Sequence, residues 1–260
     1  MTELVFMEGV SGVGKSTITR ALAEQLRSHG YAVREYLEFD SANPIDFYCT
    51  ACLSVEEYDR LCKAYPAAEA VLRANAIPAG EKRLVRYCKE DSPMFADPLL
   101  SELVRSEFCY KPAHPVPLCE YTAILTEVRR GFSESLDGTY DFILFDGSLL
   151  HHPLNDMIRN YHAAEEQRIA HVHALLRALG SVKRRIFYLH IDDIAAQLAR
   201  ARRDRGQSAP TQESIRFWQN RSRLDRAVQR GLPEEITIYN ITNGGWDTVR
   251  EQIRTALCKS

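Results

Sequence analysis

Gly9-Val10-Ser11-Gly12-Val13-Gly14-Lys15-Ser16-Thr17 decides how the rest of this 260-residue chain organises itself. The stretch matches G-x-x-x-x-G-K-[ST] at Gly9, Gly14, Lys15 and Ser16. Glycines let successive backbone N–H groups turn to one side and form an anion nest, and a helix starting at the lysine adds the positive end of its dipole. In such a loop Gly9, Gly12, Val13, Gly14, Lys15, Ser16 and Thr17 are the expected phosphate-binding residues. Lys15 would reach the β/γ-phosphates, and the Ser16 hydroxyl would bind Mg²⁺.

The flanks fit that reading. Leu4-Val5-Phe6-Met7 is a short apolar run, read as a strand ending in the loop. Lys15–His29 reads as an amphipathic helix, because Ile18, Leu22 and Leu26 recur at i, i+4 and i+8. Gly30 stops it, and Tyr31–Phe39 reads as a second strand, completing a tight β-turn-α-β unit. From Asp40 to about Gly131 strand-like runs give way to prolines and short helical patterns, clearest at Val55–Lys63, Ala67–Asn75 and Pro98–Ser106. This predicts a mainly helical insertion, residues 41–131, over the mouth of the sheet, with Tyr121–Leu136 as the helix returning to the core.

Tyr140–Asp146 is the best buried-strand signal, a continuous apolar run closed by an acid. Helices are expected at Ala163–Leu179, Ile194–Arg205, Gln212–Arg230 and Trp246–Cys258, and strands at Arg185–Ile191 and Glu235–Ile241. Strands alternating with helices predict one α/β domain over residues 1–260, a three-layer α/β/α arrangement with a parallel sheet. No internal repeat or separating linker interrupts it.

At Gly9–Thr17 the chain resembles the P-loop nucleoside, nucleotide and small-molecule kinases more than GTPases or motors. The resemblance implies a P-loop NTPase fold, ATP and Mg²⁺ as cofactors, and transfer of the γ-phosphoryl to a small-molecule acceptor: a nucleoside, nucleotide, sugar or antibiotic-like hydroxyl compound. It implies that Asp146 serves the metal with Ser16, although Asp-Gly-Ser is also ordinary turn chemistry. An acid after the second strand would orient the acceptor. Glu38 is preferred to Asp40, which could equally cap the next segment. Related deoxynucleoside and thymidylate kinases carry an arginine after the strand-end acid. Here that residue is Gly147, which argues against their standard acceptors.

Arg200, Arg202, Arg203 and Arg205 correspond to the kinases' lid arginines, which neutralise the transferred phosphoryl group. Four arginines in six residues spread around a helix, so one or two can act, and Arg202 and Arg205 are the candidates. The loop Ile241–Trp246, with Asn243, would lie along the adenine base. His151-His152-Pro153-Leu154-Asn155-Asp156 is either a substrate-binding cluster or a surface loop.

Bulk properties narrow the alternatives. Lys plus Arg number 33 and Asp plus Glu 35, a net charge of −2 that does not suit a protein coating nucleic acid or an anionic membrane. No apolar run is long enough to span a bilayer, and the first residues lack the pattern of a signal peptide. Six of the seven cysteines lie between Cys49 and Cys119. Reduced structural thiols are expected, rather than a zinc site, because Cys49-x-x-Cys52 has no second pair and sits in a largely helical pattern. A cytoplasmic protein follows, with no specific nucleic-acid partner and a homodimer as the assembly it could form. The alternative is a regulatory P-loop ATPase whose insertion binds a protein partner. Lack of an N-K-x-D stretch argues against a GTPase.

Overall fold

Residues 2–258 are described by a computed structural model. The apolar run before the glycine-rich loop becomes β1 (Glu3–Gly9), buried along its whole length, and the loop runs into α1 (Lys15–Ser28). Then come β2 (Val33–Tyr36), β3 (Thr50–Ser54), α2 (Val55–Ala64), a 3₁₀ turn (Pro66–Ala68), α3 (Glu69–Ala74), β4 (Ala76–Ala79), β5 (Lys82–Arg86), β6 (Cys88–Lys89), β7 (Ser92–Pro93) and α4 (Leu99–Arg105). The remainder is α5 (Leu118–Glu134), β8 (Phe142–Asp146), α6 (His151–Arg159), α7 (Glu165–Ala178), β9 (Lys183–His190), α8 (Ile194–Asp204), α9 (Gln212–Gly231), β10 (Ile236–Asn240) and α10 (Trp246–Cys258).

The main sheet has five strands in the order β10-β9-β1-β8-β2, all parallel. Side chains alternate across β1, so helices must cover both faces. On one face Val5 and Met7 pack with Ile18 and Leu22 of α1, Leu198 of α8 and Ile253 of α10. On the other, Leu4 and Phe6 pack with Leu125 of α5, Leu154 of α6, Leu176 of α7 and Val228 of α9. Phe145 lies at the centre of this second layer, stacked on Phe6 at 5.3 Å and Tyr36 at 5.4 Å and edge-on to Phe132 at 5.8 Å. Among the described residues no helix is long and apolar enough to cross a membrane.

Two sequence expectations need correction. The second strand ends at Tyr36 rather than Phe39, so Glu38 lies in the turn beyond it, and Phe39 adopts a left-handed backbone with φ 65°. The insertion holds helices but also two antiparallel sheets, β3-β5-β4 and β6-β7. These strands are two to five residues long. Thr50-Ala-Cys-Leu-Ser and Lys82-Arg-Leu-Val-Arg are too short to show a period of two. Cys49-x-x-Cys52 therefore leads into a strand, not a helix, and α2 starts only after Ser54, whose capping box with Glu57 fixes its first turn. The insertion has its own core around Leu53, Leu61, Val85 and Leu103.

Truncating Phe145 removes three ring contacts from a site with no solvent exposure. Phe145→Ala is expected to lower unfolding free energy by about 3–5 kcal/mol, measured by denaturant melts against the unaltered protein.

Candidate functional site

The carboxyl ends of the parallel strands gather the polar side chains, as open α/β sheets do where connections diverge to opposite sides. β1 pairs with β8 so that Met7 lies opposite Asp146, the last residue of β8, and β1 runs two residues further to Gly9. Ser16, in the first turn of α1, donates to Asp146 Oδ2 at 2.5 Å. Asp146 has no solvent exposure, and its Oδ1 has no hydrogen-bond partner.

Four loop carbonyls are held by side chains, three of them from distant parts of the chain. His151 Nδ1 meets Gly9 O at 2.9 Å, and Lys15 Nζ donates to Val10 O at 3.2 Å. Gln197 Nε2 donates to Gly12 O at 2.7 Å and Trp246 Nε1 to Val13 O at 3.1 Å. The amides of residues 12–17, by contrast, donate to no acceptor among the described residues. A loop with its carbonyls tied back and its amides free, running into a 14-residue helix, is an anion-binding arrangement. Gly14 has φ 99°, and a Cβ there would come within 2.6 Å of Trp246 Nε1, so only glycine fits. Lys15 is buried and forms no ion pair among the described residues.

Beside the loop lies a cavity of about 380 Å³ lined by Gly12, Gly14, Thr17, Arg200, Arg205 and Trp246. Arg200 stacks over the Trp246 ring at 5.2 Å. Of the two arginines chosen from sequence, Arg205 lines this cavity. Arg202 does not: its Nε donates to Ser208 O at 2.6 Å and closes the turn after α8. Asn243 is exposed, and its neighbour Trp246 makes the loop contact instead. A cleft of about 550 Å³ between α5 and α7 opens near Gly180–Val182, at the amino end of β9, and is remote from these groups.

On the insertion side, Glu38 and His152 come together. His152 Nε2 is 3.5 Å from Glu38 Oε1, and its Nδ1 is bonded to Asp46. Tyr110 OH donates to both Asp46 oxygens, at 2.9 and 3.1 Å. Burial alone would favour a neutral His152, but Asp46 and Glu38 outweigh it and raise its pKa to about 10. Burial would raise Glu38 and Asp46 too, yet the His152 ring, with Lys15 acting on Glu38 and Tyr110 on Asp46, lowers both. His151 is the opposite case: burial, then the charges of Lys15, His152 and Arg221, hold it neutral. Asp40 accepts from Ala42 N at 2.8 Å and caps the turn, which leaves Glu38 as the acid facing the site.

No family model and no curated protein matches this chain.

The residues His151–Asp156 form no surface loop. They begin α6 and are mostly buried, because Glu8 accepts from Leu149 N at 2.9 Å and His151 N at 2.8 Å and draws the segment against β1. Gly147, with φ 72°, explains the missing arginine. A Cβ there would lie 3.0 Å from His151 Cβ and 3.4 Å from Lys15 Cε. Glu8, Asp46 and the hydrogen bonding of Tyr110 to Asp46 were not foreseen. Glu8 did carry a signal, being an acid placed between the apolar run Leu4–Met7 and the glycine-rich loop. Asp46 and Tyr110 sit in the insertion, where only tertiary contact reveals them.

Burial raises the Glu8 pKa from 4.5 to about 7 despite its two amide donors. With the folded value above the unfolded one, this contribution to stability is complete below pH 4.5 and is lost as pH rises towards 7. Over that interval the unaltered protein should lose up to about 3 kcal/mol relative to Glu8→Gln, read from melts of both proteins across the pH range.

Proposed function

We propose that the chain is an ATP-dependent phosphotransferase of the P-loop kind, moving the γ-phosphoryl of Mg·ATP to a hydroxyl of a small-molecule acceptor. The observation that carries this reading is the loop itself: amides 12–17 without acceptors, carbonyls tied back, and Lys15 without a direct ion pair among the described residues. Those free donors fit a triphosphate. The unpartnered Asp146 Oδ1 beside Ser16 fits Mg²⁺, whose charge, when bound, would offset that of the phosphates. Trp246 and Arg200 give the cavity beside the loop a flat wall suited to a base.

Glu38 orients the acceptor, with its carboxylate held ionised by His152 and Lys15. It takes the proton of the acceptor hydroxyl as that oxygen bonds to the γ-phosphorus and the bond to the β,γ-bridging oxygen breaks. Lys15 and Arg205 meet the negative charge on the group in transfer and on the departing ADP. Phe39, Tyr48 and Tyr110 form an aromatic wall beside Glu38, with Phe39 and Tyr48 centroids 4.6 Å apart, and supply a surface for an acceptor's apolar side.

The test is ADP release from Mg·ATP across nucleosides, nucleotides, sugars and aminoglycosides. One acceptor class should stimulate release, and Lys15→Ala should lower that rate by about 100-fold or more. Slow release that no acceptor changes would favour a regulatory ATPase, and absence of ATP binding would defeat both readings.

A further inference from the structure

The first two residues of α6 are histidines, both almost fully buried at 3% and 6% exposure. His152 has its Nδ1 against the Asp46 carboxylate, which can only accept, and His151 has its Nδ1 2.9 Å from Gly9 O and 3.4 Å from Lys15 Nζ. Nδ1 of His152 therefore carries a hydrogen, and in His151 the shorter contact, to Gly9 O, calls for the same tautomer; in a neutral ring of that form the lone pair is at Nε2. His152 Nε2 is shielded from water and has no hydrogen-bond partner. Glu38 Oε1 stands 3.5 Å from it, long for a hydrogen bond. One donor atom from each of Glu38, His151 and His152 lies within 4.8 Å of the other two.

This is how metal-binding imidazoles are set up: one nitrogen is fixed by a carboxylate or carbonyl, and the other is turned to a shared point with a carboxylate. We infer that Glu38, His151 and His152 bind one divalent transition-metal ion through two ring nitrogens and a carboxylate oxygen. Imidazole donors select zinc, cobalt, nickel, copper or iron over magnesium, which requires oxygen ligands. Three protein ligands leave positions open to water or to a substrate oxygen. Glu38 is half-buried, with 31% of its side chain exposed, and gives the ion a path from solvent. The Glu38 and Asp46 carboxylates offset the nearby Lys15 ammonium, and the ion takes the place of the proton that otherwise joins His152 to those two acids. The site does not depend on the phosphotransferase reading, because its occupancy can be measured without nucleotide.

The experiment uses full-length protein stripped with chelator and titrated with Co²⁺, followed by visible absorption, calorimetry and elemental analysis, with Zn²⁺ as competitor. One equivalent of Co²⁺ should bind with the absorption of a nitrogen-ligated ion and be displaced by Zn²⁺. Glu38→Gln and His151→Gln should each weaken binding by at least about 10-fold, and Asp46→Asn by about 10–100-fold through the ring it orients. Glu38 is partly exposed, so Glu38→Gln keeps the test open if a buried histidine variant fails to fold, its folding being checked by its metal-free melt. Lack of stoichiometric binding would overturn the inference. So would binding that persists undiminished in folded Glu38→Gln, since the ion would then sit on other groups such as the thiols.

Discussion

A hydrogen bond from Ser16 to Asp146 forms only if β1 and β8 keep the register that sets Asp146 opposite Met7. The remaining arrangement depends on that register. A slip of one residue would turn Asp146 to the opposite face and place Phe145 where a carboxylate is required. Stacking of Phe6 on Phe145 one residue earlier opposes such a slip, so apolar packing inside the sheet sets polar geometry at its edge. Glu8 extends the same alignment by holding the backbone at residues 149 and 151, which fixes where α6 begins and where its two histidines point.

Charge is buried at this edge in unusual quantity, and each case is compensated differently. Arg221 and Asp225 form a direct pair with almost no exposure, and Tyr188 OH donates to the same carboxylate at 2.8 Å. His152 lies between two acids. Arg129, fully buried, bonds the carbonyls of Ser148 at 2.8 Å and Leu125 at 3.3 Å, and burial lowers its pKa to about 10. A charge held by carbonyl dipoles is less firmly compensated than one held by a carboxylate. Such groups contribute little net stability for their desolvation, and their geometry fixes the positions of the residues around the loop.

Much of the parallel sheet was legible because its signals are local. The run before Gly9, the apolar stretch ending at Asp146 and the spacing of Ile18, Leu22 and Leu26 each appear within about two turns of chain. The loop and its partner Asp146 were legible for the same reason. The insertion was not, since its strands are short and are stabilised by pairing across sequence gaps, as between Thr50 and Arg86. Nor was the choice among the arginines: which of them faces the cavity depends on where α8 ends, and the turn made by Arg202 and Ser208 sets that end. Glu38 was found by its place after β2, but its partner His152, which Asp46 also holds, comes from a distant part of the sequence.

The anchors on the loop carbonyls come from residues 15, 151, 197 and 246. During synthesis these appear on the ribosome one after another, the last only after β10 and the start of α10 have been made. Until then Val13 O lacks its indole donor. The full set of carbonyl contacts on the loop thus exists only once residue 246, near the end of the described chain, has been made.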